Sequence, residues 1–229
     1  MTRRYTWSMA TMAVFAALSG AGIAGYDAVH HSVASASAFS NLTDVYGINV
    51  SRNPEVGSNK APVTILEFGD LKCPHCADFA QTVLPSIKKN FIDTGEARLF
   101  FVNFPVLGPQ SILAAQMGEA IYQQSPTAFW KWYGGVYRTV ATEIKNPDSN
   151  YGTLKYYDGL IKRYVPKVNI SKVNRAVAQH TYLSLVNQNA MQGTHIGVRG
   201  TPTVFINGVE APDPYSVSAI SHMIAGAVR

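Results

Sequence analysis

Both cysteines of this 229-residue chain, Cys73 and Cys76, lie in a single Cys-Pro-His-Cys segment between two contrasting patterns. The residues before it, 61–70 ("APVTILEFGD"), form a short apolar and β-branched run that is typical of a buried strand. The residues after it, 77–93, carry large apolar side chains at a spacing of four, which is one face of a helix. The chain is therefore constrained to present both sulfurs where a strand ends and a helix begins.

The rest of the chain continues this strand and helix organisation. A second strand is predicted at 97–106 ("ARLFFVNFPV"), so that strand, helix and strand form a βαβ unit with parallel strands. Pro85 predicts a kink or a break in the intervening helix. Residues 109–192 show helical patterns without a convincing strand, and Ser171 is predicted to cap one of these helices. Residues 203–211 ("TVFINGVEA") predict a hairpin with an Asn-Gly turn, and a helix follows it to the end.

The N-terminal residues 1–38 have the features of an export signal. Two arginines precede an almost charge-free stretch, residues 7–25, and Ala-x-Ala sites follow within residues 33–38. The apolar stretch is nineteen residues long. This is close to the ~20 residues that span a bilayer as a helix, so an uncleaved membrane anchor is the alternative. Either interpretation places the remaining chain outside the cytoplasm, as a secreted or a membrane-anchored protein.

Three kinds of site use two cysteines at this spacing: half of a zinc site, a structural disulfide, or a redox-active disulfide. A structural zinc site needs four ligands, and the sequence has no second cysteine pair and no histidines at metal-ligand spacing. A disulfide that closes a four-residue loop adds little stability, because it hardly restricts the unfolded chain. Redox chemistry therefore explains the pair best.

The position of Cys73 at a helix start favours its thiolate. Helix N-termini attract negative charge through unpaired N–H groups and the helix dipole, and Pro74 suits the first helical turn. Lys72 and His75 are expected to add positive charge beside the same sulfur. We expect Cys73 to be the exposed nucleophile and Cys76, one turn further in, to be the buried resolving thiol. Because a lowered thiol pKa stabilises only the reduced state, the pattern indicates a protein that gives its disulfide away.

Two segments, residues 66–76 ("LEFGDLKCPHC") and 200–208 ("GTPTVFING"), together resemble the DsbA-like branch of thioredoxin-fold oxidoreductases. The sequence is most similar to the membrane-attached BdbD-type proteins of Gram-positive bacteria, from about residue 41 to the end. The resemblance implies an α/β thioredoxin fold, in which a central mixed sheet is flanked by helices and carries an inserted helical domain. The implied organisation is a signal peptide or anchor (1–38), a lead-in segment (39–60), the first half of the fold (61–108), the helical insertion (109–192) and the second half (193–229).

The same resemblance implies roles for residues outside the cysteine segment. Thr201 and Pro202 match the family's cis-proline loop, where the backbone of Thr201 pairs with substrate in the mixed disulfide; the alternative is a turn proline that opens a strand. Glu67 matches a buried acidic residue that influences proton movement to and from the cysteines; the alternative is an ordinary carboxylate at a strand end. Aromatic residues within 128–137 either line a groove for unfolded substrate or pack in the core, and core packing is favoured for most of them.

The leading functional hypothesis is an extracytoplasmic thiol–disulfide oxidase. A reduced or unfolded exported protein attacks the Cys73–Cys76 disulfide, a mixed disulfide forms through Cys73, and the substrate leaves oxidised. A quinone-linked membrane partner or a small oxidant then reoxidises the pair. The protein is expected to act as a monomer without a cofactor other than its cysteines.

Two alternatives remain open from the sequence. A reductase or isomerase of the same fold would reverse the flow of electrons. A non-catalytic exported metal carrier or holdase would bind its ligand without redox turnover, and binding would survive a Cys73→Ser substitution. A nucleic-acid partner is not expected, because the net charge of +5 is spread along the chain without a basic run.

Overall fold

A mixed five-stranded sheet flanked by helices forms the centre of the computed structural model, which describes residues 48–146 and 150–228. The strands are β1 (Glu55–Gly57), β2 (Val63–Gly69), β3 (Ala97–Asn103), β4 (Thr203–Ile206) and β5 (Val209–Glu210). The helices are α1 (Pro74–Asp78), α2 (Leu84–Ile87), α3 (Pro109–Gln124), α4 (Pro126–Glu143), α5 (Leu154–Tyr164), α6 (Ile170–Ala178), α7 (Leu183–His195) and α8 (Val217–Ala227).

The strands follow the order β1-β3-β2-β4-β5, and β2 lies at the centre. It pairs parallel with β3 and antiparallel with β4, as a βαβ unit followed by a hairpin requires. All seven residues of β2 are buried, because helices cover both faces of the sheet. Alternate side chains point to opposite faces, so Ile65 packs in the core that contains both cysteines and Leu66 packs in the smaller core behind the sheet.

The chain between β2 and β3 is helical from Pro74 to Ile92, and Pro85 does not break it. A π-helical turn, Phe79–Val83, precedes the proline, and the N–H of Leu84 bonds to the carbonyl of Phe79, five residues back. Pro85 is therefore the second residue of a new α-helical segment. At this position the backbone N–H would have no partner within the helix, so proline costs no hydrogen bond there. The predicted helix is confirmed, and the predicted kink is instead a change of helical type.

The helical patterns of the central region are confirmed as α3 to α7, but one predicted cap is wrong. Asn169, not Ser171, caps α6, since the Asn169 side chain accepts a hydrogen bond from the N–H of Lys172 at 3.0 Å. A residue with positive φ, His180 at 53°, then separates α6 from α7. The segment 170–190 therefore contains two helices, α6 and the first part of α7.

The Asn-Gly hairpin is confirmed between β4 and β5. Asn207 and Gly208 have φ values of 43° and 79°, the left-handed conformations that a two-residue hairpin turn needs. The Asn207 side chain also accepts a hydrogen bond from the N–H of Thr64 at 2.7 Å, which ties the turn to β2. α8 follows the hairpin, as predicted.

The predicted signal or anchor in residues 1–38 lies outside the described residues. Among the helices within 48–146 and 150–228, none has the length and apolar character needed to cross a bilayer. The proposed boundaries between lead-in segment, fold halves and insertion stay predictions.

Candidate active site

The cysteine pair begins α1, where the sequence predicted it. Cys73 is the N-cap residue and Pro74 is the first helical residue. The N–H of Cys73 donates to the carbonyl of Asp70 at 2.9 Å, which closes the turn between β2 and α1, and the Cys73 carbonyl accepts from Ala77 at 3.1 Å. Both cysteines are free thiols. The strand end and the helix start therefore hold both sulfurs next to the edge of the sheet.

The two thiols differ in accessibility, although less than expected. Cys73 is 5% exposed and Cys76 is fully buried. Cys73 is the more accessible sulfur, but the expectation that it would be exposed is wrong. The loop before β4 covers it, and the carbonyl of Thr201 lies 3.5 Å from the Cys73 thiol, which donates to it.

Hydrogen bonds to the sulfur lower the pKa of Cys73 to about 6, from an ordinary value of 9.0. The largest contribution is the hydrogen bond from the Cys76 thiol, and partial burial opposes it. The side chain of Thr201 and the backbone N–H groups of Cys76 and His75 also favour the ionised sulfur. These N–H groups are the unpaired donors of the first helical turn.

The side chains of Lys72 and His75 have contacts of their own, and the positive charge expected beside the sulfur stays a prediction. The Lys72 ammonium donates to Gln110 at 2.5 Å and lies 5.7 Å from the ring centre of Tyr151. The His75 ring is exposed and stands 6.5 Å from the ring of Tyr215. The backbone N–H of His75 is one of the hydrogen-bond donors that lower the pKa of Cys73.

Cys76 has the opposite electrostatic character. Burial raises the pKa of its thiol well above the ordinary value, and the hydrogen bond with Cys73 and the negative charge of Glu67 add to the effect. Within one helical turn, one thiol is thus stabilised as a thiolate and its neighbour as a thiol.

Glu67 is fully buried on the face of the sheet that carries the cysteines. Both of its carboxyl oxygens lie within hydrogen-bond distance of the Tyr133 hydroxyl, at 2.9 and 2.8 Å. Burial raises the pKa of Glu67 to about 8, and the hydrogen bond from Tyr133 only partly opposes this rise. The position is not that of an ordinary carboxylate at a strand end.

The peptide bond between Thr201 and Pro202 is cis, the isomer that the resemblance implies. It lies immediately before β4, whose first residue, Thr203, pairs with Phe68 near the end of β2. The pairing of β4 with β2 therefore brings Thr201 to Cys73 from 128 positions along the chain.

Asp70 is a buried residue of the site that the sequence reasoning missed. Its carboxylate accepts hydrogen bonds from the N–H groups of Lys72 at 2.8 Å, Val106 at 2.8 Å and Leu107 at 3.0 Å. It ties the cysteine turn to the loop that follows β3. An aspartate directly after a strand, two residues before an N–H that it can cap, is the signal that would have identified it.

The aromatic residues of α4 pack in the core, as the sequence favoured, and most of them do not line a groove. Phe129, Trp132, Tyr133 and Tyr137 are at most 3% exposed. The Tyr137 hydroxyl donates to the carbonyl of Asp70 at 3.1 Å, so a hydrogen bond joins α4 to the turn that precedes the cysteines.

No group of three or more histidine, cysteine, aspartate or glutamate side chains in the described ranges is arranged to hold a metal ion. The groups available for chemistry at this site are the two thiols, the Glu67 carboxyl and the backbone around them.

Similarity to known proteins covers this whole site. Residues 50–225, which include both cysteines and Thr201–Pro202, match the family model described as Thioredoxin. The probable disulfide bond formation protein D of Bacillus cereus is 34% identical over 158 residues, 69% of this chain and 71% of the relative. Disulfide bond formation protein D of Bacillus subtilis is 29% identical over 69% of each chain.

Solved structures agree with the sequence relatives. The crystal structure of oxidised BdbD from Bacillus subtilis has a TM-score of 0.71 at 27% identity, over 79% of this chain and 95% of that one. DsbA of Chlamydia trachomatis shares the fold, with a TM-score of 0.67 at 23% identity over 77% and 91% of the two chains. The predicted thioredoxin fold with a helical insertion is confirmed.

Proposed function

The chain belongs to the DsbA-like, BdbD-type protein disulfide oxidoreductases of the thioredoxin fold, and on this premise we propose that Cys73 and Cys76 donate their disulfide to reduced exported proteins outside the cytoplasm. The proposed direction of electron flow, from the substrate to the cysteine pair, rests on the stabilised thiolate of Cys73, whose pKa is lowered to about 6. A disulfide sulfur has no charge to stabilise, so these hydrogen bonds favour the reduced protein. The disulfide is then more oxidising, by ~30 mV for each 1.4 kcal/mol.

The first step is attack by a substrate thiolate on the sulfur of Cys73. The Cys73–Cys76 bond breaks, Cys76 leaves with the electron pair, and a mixed disulfide joins Cys73 to the substrate. Cys73 is attacked because Cys76 is fully buried, whereas Cys73 keeps some exposure. Because a buried Cys76 thiolate is unfavourable, it takes up a proton, and the neighbouring Glu67 carboxyl supplies it. Glu67 is suited to this exchange, since its pKa of about 8 keeps it mostly protonated at neutral pH.

The second step is attack by a second substrate thiolate on the substrate sulfur of the mixed disulfide. Cys73 leaves as a thiolate, which is a good leaving group because of its lowered pKa. The substrate loses two electrons and the cysteine pair gains them. Cys76 is therefore not the resolving thiol of substrate oxidation, because its attack on Cys73 would release the substrate still reduced. It resolves the mixed disulfide that Cys73 forms with the reoxidant.

We place the unfolded substrate next to the cysteines, on the backbone of Thr201 and on an apolar groove. The groove is lined by Phe104, Pro105, Val106, Ala190, Met191, Thr194 and His195. Met191 is 71% and Val106 47% exposed. Asp70 links this groove to the cysteine turn, because its carboxylate holds Val106 and its carbonyl accepts from Cys73. Unfolded polypeptides offer the apolar side chains and free backbone groups that such a surface binds.

The reduction potential of the cysteine pair tests the proposed direction. The purified protein is equilibrated with glutathione redox buffers, and its thiols are titrated by alkylation across pH. We expect a potential well above that of thioredoxin, which is about −270 mV. A potential close to thioredoxin would instead support the reductase alternative. Retention of full oxidase activity by Cys73→Ser would overturn the catalytic role of the pair.

The proposal includes the cellular setting. The features of residues 1–38 support export by a signal or an anchor, and a quinone-linked membrane protein or a small oxidant is the proposed source of new disulfides. We propose that the protein acts as a monomer. Sedimentation of the purified protein, together with fractionation of cells that express the full chain, tests both points.

A further inference from the structure

A tyrosine of the helical segment, Tyr133, holds the buried carboxyl group of Glu67. Its hydroxyl lies 2.9 and 2.8 Å from the two carboxyl oxygens. No other hydrogen bond and no ion pair of Glu67 is found among the residues that the structure describes. We propose that Tyr133 is a positioning residue for Glu67, and that its hydroxyl decides at which pH Glu67 can exchange a proton with Cys76. The inference rests on the proton exchange proposed above.

Packing fixes the Tyr133 hydroxyl in its place. The Tyr133 ring is 3% exposed and meets the Tyr137 ring edge to face, with the ring centres 4.7 Å apart. The Phe101 ring, on the strand that pairs with Glu67, meets it edge to face at 5.4 Å. Because the Tyr133 ring is buried among these aromatic side chains, packing holds its hydroxyl beside the carboxyl group.

The groups around Glu67 leave Tyr133 as its main source of stabilisation. The titratable groups near Glu67 include Cys73 and Cys76 at the start of α1, Tyr133 and Tyr137 of α4 and Asp70 after β2. The residues opposite Glu67 on the two neighbouring strands, Phe101 and Val204, do not titrate. None of these groups is a cation, so an ionised Glu67 depends on a hydrogen bond rather than on an ion pair.

One hydroxyl proton serves two carboxyl oxygens, and this has a chemical consequence. Tyr133 can donate to only one oxygen at a time, which leaves the other oxygen to carry or accept a proton. When Cys76 leaves the disulfide as a thiolate, the proton passes from Glu67 to its sulfur, and Tyr133 donates to the new carboxylate. During reoxidation the proton returns to Glu67 as Cys76 attacks. The hydroxyl supports the charged form in both directions and is not consumed.

The test is the pH dependence of disulfide reduction in Tyr133→Phe and Glu67→Gln. The oxidised protein is mixed with a small dithiol, and the rate is expressed per dithiol thiolate across pH 5 to 10. For the unchanged protein we expect an inflection near pH 8, where Glu67 loses its proton. Loss of a hydrogen bond to the charged form should move the inflection up by about one pH unit in Tyr133→Phe. Glu67→Gln should have no inflection.

Tyr137→Phe is the matched control. Tyr137 lies on the same helix as Tyr133 and is equally buried, but its hydroxyl donates to the Asp70 carbonyl and not to Glu67. Its inflection should stay in place even if the fold becomes less stable. If Tyr133→Phe does not fold, site-specific replacement of Tyr133 by 3-fluorotyrosine keeps the test, since this stronger donor should move the inflection down.

The outcomes separate the two proposals. An unmoved inflection in the Tyr133 variants, together with its loss in Glu67→Gln, would overturn the role of Tyr133 and leave that of Glu67. Persistence of the inflection in Glu67→Gln would overturn both. A shift of equal size in Tyr137→Phe would assign the effect to packing and also overturn the role of Tyr133.

Discussion

Two thiols in a single helical turn differ in proton affinity because their immediate neighbours differ. Cys73 accepts hydrogen bonds at the open end of α1, whereas Cys76 is buried, and burial disfavours its thiolate. Because of this asymmetry, Cys73 is the sulfur that the substrate attacks and the final leaving group, whereas Cys76 is protonated once it has left the disulfide.

Cys76→Ala and Cys76→Ser separate the donor role of Cys76 from its redox role. Alanine removes the hydrogen bond that contributes most to the lowered pKa of Cys73. Serine keeps a hydrogen-bond donor on a side chain of similar length. We expect the pKa of Cys73 to rise by about one unit in Cys76→Ala and by less in Cys76→Ser. The pH dependence of alkylation by iodoacetamide measures both. A Cys73 pKa that is unchanged in both variants would assign its lowering to the helix N-terminus and Thr201.

At the scale of elements, loops at the ends of β2 and β3 assemble the site. Asp70 accepts three backbone hydrogen bonds from these two loops while only 2% exposed. A buried carboxylate in such a position is structural, because removing it would leave three N–H groups without partners.

Asp70→Ala should lower the free energy of unfolding by about 3 kcal/mol or more, because buried donors without acceptors cost about 1–3 kcal/mol each. Asp70→Asn is the matched variant, since it keeps one acceptor oxygen, and it should lose less. Urea unfolding of both reduced proteins gives the comparison. An alanine variant as stable as the unchanged protein would show that water replaces the carboxylate at these N–H groups.

The apolar groove between α7 and the loop after β3 gives a second prediction at this scale. Met191→Asp should lower kcat/KM for oxidation of a reduced, unfolded protein several-fold more than the rate with a small dithiol, because only the protein occupies the groove. Val209→Asp is the control, since Val209 is also exposed but pairs with Ile206, at the end of the sheet away from the cysteines. Equal effects of the two substitutions would contradict the placement of the substrate.

At the scale of the whole molecule, the fully buried carboxyl groups of Glu67 and Glu119 affect the stability of the fold. Glu119 of α3 is fully buried, like Glu67, and accepts a hydrogen bond from Asn103 at 2.7 Å. Burial raises the pKa of each from an ordinary value of 4.5 to about 8. The folded protein therefore binds more protons than the unfolded chain between these two pH values.

We predict that the reduced protein loses stability as the pH rises from about 4.5 to 8. The contribution of each carboxyl group is present in full below its unfolded pKa and is lost as the pH passes through its folded pKa. Glu67→Gln should reduce the slope of the free energy of unfolding against pH by up to about 1.4 kcal/mol per pH unit, which corresponds to one proton. Glu119→Gln should have the same effect. Urea unfolding at several pH values measures the slope. An unchanged slope in both variants would mean that water reaches these groups.

The sequence by itself determined those features that depend on neighbours within a few residues. The apolar run before Cys73 and the apolar residues spaced four apart after it were enough to place the thiols at a helix start. The Asn207–Gly208 turn followed from the conformations that only such residues adopt easily. The cap of α6 shows the limit of this reasoning, because Asn169 and Ser171 are both good cap residues and only the structure shows that Asn169 is used.

Only the tertiary structure decided what surrounds the thiols. Sheet pairing brings Thr201 to Cys73, and α4 brings Tyr133 to Glu67 across 66 positions. The near-complete burial of Cys73 and the hydrogen bonds to its sulfur also lay beyond the sequence pattern. The physical reason is that burial and hydrogen bonding, which set the proton affinities here, depend on strand register and helix packing between distant parts of the chain.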